Sequence, residues 1–168
     1  YDRVADKSAS ELLVDSSKSI NRALLLKMYR PKDVKILILK RDVKGVASSS
    51  HHGLNDTMIK ERTAYWFDYY NKKIPAYLKN IPQSDYMEVT YENMCLDHNE
   101  LRKKIAKFSG LGTTQISPVN HIAPYKNHTV QGNPMRLLKK NISIRYDERW
   151  RERLNDDQVK WINSYIEK

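Results

Sequence analysis

Lys35-Ile-Leu-Ile-Leu39 is the stretch that most constrains this chain. It is short, rich in isoleucine and weakly alternating, which reads as a buried strand. Lys40, Arg41 and Asp42 follow it, and the residues from Asp42 to His51 carry a helical pattern that closes on Ser48, Ser49 and Ser50. A strand feeding a helix through a basic pair fits an α/β fold, and the rest of the chain repeats the theme. Glu11 to Asp15 reads as a short strand, and Asp15-Ser-Ser-Lys-Ser19 as a loop with cap-forming residues. Ile20 to Tyr29 has helical spacing and stops before Pro31. Met58 to Leu78 is the longest helical pattern, with Tyr65, Trp66, Tyr69 and Tyr70 on or near one face; core packing explains them better than an acceptor cleft. Tyr86 to Thr90 is a strand, Asn99 to Phe108 an amphipathic helix, and Gly110 and Gly112 are its stops. Residues 113–133 are loop-like, and Asp147 to Arg153 and Asp156 to Ile166 close the chain as helices. Strands alternating with helices predict a single α/β domain over 1–168, a parallel sheet flanked by helices.

The formal charge is +10 over 168 residues. That field favours anionic partners and says nothing of the fold. A single cysteine, Cys95, excludes an internal disulfide and fits a reducing compartment. No apolar run reaches the length of a membrane span. The chain does not begin with Met, so the lack of a visible signal peptide carries little weight.

Four constellations carry candidate chemistry. Arg41 ends a strand, where ligands of α/β sheets bind, and the next helix's N-terminus would offer backbone N–H groups to an anion. Ser49 lies eight residues on, about two helical turns, so its hydroxyl would face the same side. The plainer alternative is that Arg41 pairs with an acidic neighbour and the serines are helix surface. In Asp15-Ser-Ser-Lys-Ser19, Lys18 could stabilise developing negative charge, or the serines could simply cap the helix from Ile20. Tyr91, after the strand Tyr86–Thr90, could meet a base or pack in the core. In His128 to Arg136, Gly132 allows close backbone approach and Arg136 adds charge, or Gly132-Asn133-Pro134 is an ordinary turn.

Taken in order, D-S-S-K-S, L-K-R-D-V-K-G-V-A-S-S-S, T-Y-E-N-M, K-K-I-A-K-F-S-G-L and the late G-N-P-M-R resemble the sulfotransferases that use 3′-phosphoadenosine 5′-phosphosulfate. The tail I-S-I-R-Y-D-E-R-W-R-E-R-L looks like the end of many bacterial-type members. The resemblance covers nearly the whole chain and implies a P-loop-like sulfotransferase fold. It implies that Arg41 and Ser49 grip the donor's 3′-phosphate and that Tyr91 contacts the adenine. It implies that the late loop, Gly132, Asn133 and Arg136, touches the same phosphate. Lys18 would be the catalytic residue and Asp15 would line the acceptor cleft. The glycine- and Ser/Thr-rich loop with which the family cradles the 5′-phosphosulfate has no counterpart here. The resemblance therefore covers the C-terminal two-thirds of the family pattern. The expectation is that this piece holds the 3′-phosphate and adenine side of a site and does not turn over alone, the N-terminal part being cut off or a separate chain.

The reaction so implied is in-line transfer of a sulfuryl group to an acceptor hydroxyl or amine, with no metal required. The acceptor, whether carbohydrate, lipid, small alcohol or peptide, is not written in the sequence. The rival reading is a non-catalytic nucleotide- or nucleic-acid-binding basic α/β module, but the basic residues are scattered rather than striped and carry no nucleic-acid motif. A P-loop kinase would need a G-K-[ST] that is not found. The expected location is the cytoplasm, or the Golgi lumen in a eukaryote.

Overall fold

The structure is a computed structural model and describes residues 11–49, 54–112 and 142–167, together with 3, 6, 7, 116, 121 and 122. Helix α1 spans Ile20–Tyr29. It starts there because the Ser19 side chain accepts a hydrogen bond from Arg22 N at 3.3 Å, satisfying one of the first turn's orphan donors. Strand β1, Ile36–Lys40, leads through Arg41 and Asp42 into α2, Val43–Ala47. Asn55 caps α3, Asp56–Asp68, which runs on through a π-helical turn, Tyr69–Lys73, into α4, Ile74–Leu78. A 3-10 turn at Gln83–Asp85 precedes β2, Tyr86–Thr90. Helices α5, Tyr91–Leu96, and α6, His98–Phe108, follow. Gly110 ends α6 at φ 80°, a backbone region glycine takes without steric cost. The two-residue strands β3, His121–Ile122, and β4, Ile142–Ser143, pair antiparallel. Helix α7, Trp150–Arg153, and helix α8, Asp156–Ile166, complete the chain, α8 opening on an Asn155/Gln158 capping box.

β1 and β2 are parallel, with Ile36 opposite Tyr86 and Lys40 opposite Thr90. The two strands therefore end level with each other. This is the predicted α/β arrangement, a small parallel sheet flanked by helices. Several expectations need correction: the helix expected from Asp147 begins only at Trp150, and His121–Ile122, within the stretch read as loop, is a short strand. Residues 11–15 form no strand: Leu12 and Val14 are exposed, so no face is buried, and Asp15 accepts a hydrogen bond from Ser17 N at 2.8 Å, folding the chain into a turn. The helix expected from Asp42 to His51 stops at Ala47, where Ser48 caps it; a run of serines competes with the helix for backbone hydrogen bonds.

Two apolar clusters hold the elements. Val43 and Ala47 of α2, Ile59 and Trp66 of α3, Leu154, and Ile162 of α8 form one. Ile36 and Ile38 of β1 with Ile74 and Leu78 of α4 form the other, covered by Ala23 and Leu24 of α1. β1 is buried on one face only, since Leu37 and Leu39 alternate outward and are exposed.

Lys27 of α1 is buried, which only full pairing makes tolerable. Its ammonium donates to Pro31 O, to Val34 O at 2.9 Å and to Asp85 Oδ2 at 2.8 Å. Lys35 donates to the other Asp85 oxygen at 2.8 Å. The hydrogen bond from Lys27, then that from Lys35, lower the Asp85 pKa from 3.8 to about 2. A carboxyl depressed on folding stabilises the fold above its unfolded pKa and loses that contribution as pH falls through its folded pKa. Asp85→Asn should therefore melt below the wild type at neutral pH, and the gap should close between about pH 4 and about pH 2. Thermal melts of both proteins across that window check it; a gap independent of pH would refute the assignment.

Candidate functional site

The site follows from the strand register. Lys40 and Thr90 are partners, so the next residues, Arg41 and Tyr91, emerge side by side at the carboxyl end of the sheet. The Arg41 guanidinium lies over the Tyr91 ring, 4.5 Å from its centroid, a geometry suited to a cation–π contact. The strand end is anchored from behind by the long helix: Trp66 Nε1 donates to Arg41 O at 2.9 Å, and Tyr70 OH donates to Leu39 O at 2.8 Å.

The segment between β4 and α7 closes over this pair. Arg41 Nη2 donates to Asp147 O at 3.2 Å and to Asp147 Oδ2 at 3.3 Å. Asp147 N donates to the Tyr91 hydroxyl at 3.2 Å, and that hydroxyl donates to Arg145 O at 3.5 Å. Arg149 grips the same carboxylate, Nε to Oδ1 at 2.7 Å and Nη2 to Oδ2 at 2.8 Å. Tyr146 packs its ring 6.0 Å from that of Tyr91. Two guanidiniums thus face one carboxylate, a forked cationic pair of the kind that suits an anion, with the Asp42 and Glu92 carboxylates close by at the start of α2. Arg149 first, and Arg41 after it, hold the Asp147 carboxyl well below the usual carboxylate range. Burial pushes the Tyr91 phenol up to about 12, with the neighbouring Cys95 adding to the shift and Arg41 opposing it. The phenol is a neutral donor at any working pH.

The predicted site residues fall into four groups. Arg41 and Tyr91 are brought into contact. Arg41 also pairs with an acidic residue, as its plainer reading had it, but that residue is 106 positions away. Ser49 lies beyond the C-cap of α2 and is exposed, so the same-face argument from helix pitch does not reach it. The α2 N-terminus is not the open anion seat expected. Asp42 N donates to Glu92 Oε1 at 3.0 Å and Lys44 N to Asp42 Oδ1 at 2.7 Å, so both groups are already taken.

Lys18 and Asp15 sit apart in the loop before α1. Lys18 is exposed with φ 61°, a left-handed conformation uncommon for lysine. Asp15 pairs with Arg22 Nε at 2.8 Å besides accepting from Ser17 N. Gly132, Asn133 and Arg136 lie outside the described residues. The residues that sequence reasoning missed are Arg145, Asp147 and Arg149. The signal was the alternation of charge and aromatic in Arg145-Tyr-Asp-Glu-Arg-Trp150, read only as a tail and the start of a helix.

Comparison with known proteins gives the family of the chain. A family model described as the sulfotransferase domain matches residues 5–168. No curated protein and no solved structure matches the chain. The match spans nearly every residue, including the strand ends that carry Arg41 and Tyr91, and the chain therefore belongs to the sulfotransferase domain family.

Proposed function

We propose that the chain provides the nucleotide side of a site that takes a sulfuryl group from 3′-phosphoadenosine 5′-phosphosulfate and passes it to an acceptor hydroxyl or amine. The observation that carries the reading is the placement of Arg41 against Tyr91 at the level carboxyl ends of two parallel strands. Ligands of α/β sheets bind beyond that end. A guanidinium there offers a forked donor to the 3′-phosphate, and the tyrosine offers an aromatic wall to the base. Arg149 adds a second guanidinium beside the first. Ser49 and the late residues Gly132, Asn133 and Arg136 are proposed to complete the phosphate contact.

Lys18 is the proposed stabiliser of the transferred group, since its ammonium is exposed and its loop is fixed at both ends. The Ser19 cap fixes one end and the Asp15–Arg22 pair the other. Asp15, with one oxygen on Ser17 N and the other on Arg22, acts in this reading by shaping the loop beside the acceptor. The sequence carries no glycine-rich phosphosulfate loop, so binding rather than turnover is the test for this chain.

The test is calorimetric titration with adenosine 3′,5′-bisphosphate on the wild type and on Arg41→Ala. Hydrogen bonds to charged groups contribute about 1.5–3 kcal/mol, so the substitution should weaken binding by about ten- to a hundredfold. Equal affinity in the two proteins would overturn the reading. Binding that collapses with modest added salt in both would point instead to a nucleic-acid surface.

A further inference from the structure

Gly45 occupies the third position of the short helix α2, Val43–Ala47, and is buried. Its backbone does not ask for glycine, because it lies in a helical segment and is not among the positive-φ glycines. Glycine in a helix interior is less favourable than alanine. What the position does ask for is space. A Cβ built at Gly45 would lie 2.6 Å from Arg41 Nε and 3.1 Å from both Arg41 Cζ and Nη2. The atoms it would strike belong to the guanidinium that lies over Tyr91 and donates to Asp147.

We infer that Gly45 is a positioning residue for the nucleotide grip: the bare Cα is the seat on which the Arg41 guanidinium lies flat between α2 and Tyr91. The inference rests on the reading of Arg41 as the donor's phosphate ligand. Any side chain at position 45 lifts the guanidinium off its seat, and the backbone of α2 has no reason to move. Gly45 itself touches no ligand. Its effect passes wholly through Arg41, which separates it from a residue that merely packs the core.

The experiment is a double-mutant cycle with Gly45→Ala and Arg41→Ala, read by titration with adenosine 3′,5′-bisphosphate and by thermal melting. Gly45→Ala should weaken binding by about tenfold, the loss of one charge-assisted contact. Its melting temperature should stay near that of the wild type, the helical gain of alanine offsetting the contacts with Asp147 and Tyr91 that Arg41 loses. In the Arg41→Ala background the same substitution should change affinity by less than about twofold, the mark of two residues acting as one unit. If Gly45→Ala does not fold but the double variant does, the clash with Arg41 is confirmed directly. The inference is overturned if Gly45→Ala binds as the wild type does while Arg41→Ala is weakened, or if both Gly45 variants fail to fold. Wild type and Arg41→Ala of equal affinity would instead overturn the assignment of Arg41, and the role of Gly45 with it.

Discussion

Trp66→Ala should lower stability by about 3–5 kcal/mol, the usual cost of emptying a large buried aromatic site. Trp66 is buried in the cluster that joins α2, α3 and α8, so its loss opens a cavity within that cluster. Most domains are stable by only about 5–15 kcal/mol, so the loss takes a large share of the total. The indole also donates to Arg41 O, at the point where β1 hands over to the site. Trp66→Phe separates the two effects. It keeps most of the ring volume and leaves that carbonyl without its donor, which costs about 1–3 kcal/mol. Denaturant unfolding reads the stability, and titration with adenosine 3′,5′-bisphosphate reads the strand end. A Trp66→Phe protein as stable as the wild type would show that the indole hydrogen bond does not hold β1 in place.

The second large effect is expected at Ile162, whose side chain is fully buried. Ile162→Ala should cost about 2–5 kcal/mol through lost burial and the residual cavity. The residue stands on α8, near the end of the sequence, and packs with Val43 and Ala47 of α2. The result would show that the last helix belongs to the same cooperative core as the helix that seats Arg41. A loss below about 1 kcal/mol, the level of an average substitution, would mean that α8 is only loosely attached.

Elements with their own boundary chemistry were legible in the sequence. Helix Ile20–Tyr29 and helix Asp156–Ile166 carry caps at one end and stops or polar flanks at the other, and both match their expected spans. Strand Tyr86–Thr90 matches as well, and β1 is displaced by one residue. The misses have physical causes. Leu12-Leu13-Val14 has strand-like composition, but a strand also needs a partner and a face to bury, and neither is local information. The π-helical turn Tyr69–Lys73 leaves the helical periodicity of the sequence almost unchanged, so the pattern read as one uninterrupted helix. In the site, Arg41 and Tyr91 were readable because each directly follows a strand. The contribution of Arg145 to Arg149 was not, since it depends on a segment folding back across the sheet end. The choice of residues 131–136 for that basic loop falls outside the described residues.

The strand register has a consequence for the order of assembly. Arg41 meets Asp147 across 106 positions, and Tyr91 meets it across 56. Closing such long loops costs chain entropy before any contact repays it, so distant pairings form late in folding. No local fragment of this chain carries the grip. A slip of one residue between β1 and β2 would also reverse which faces of the strands are buried and separate Arg41 from Tyr91. On the proposed reading, a nucleotide that needs both would recognise only the finished, correctly registered chain, and its binding would gauge folding as well as affinity.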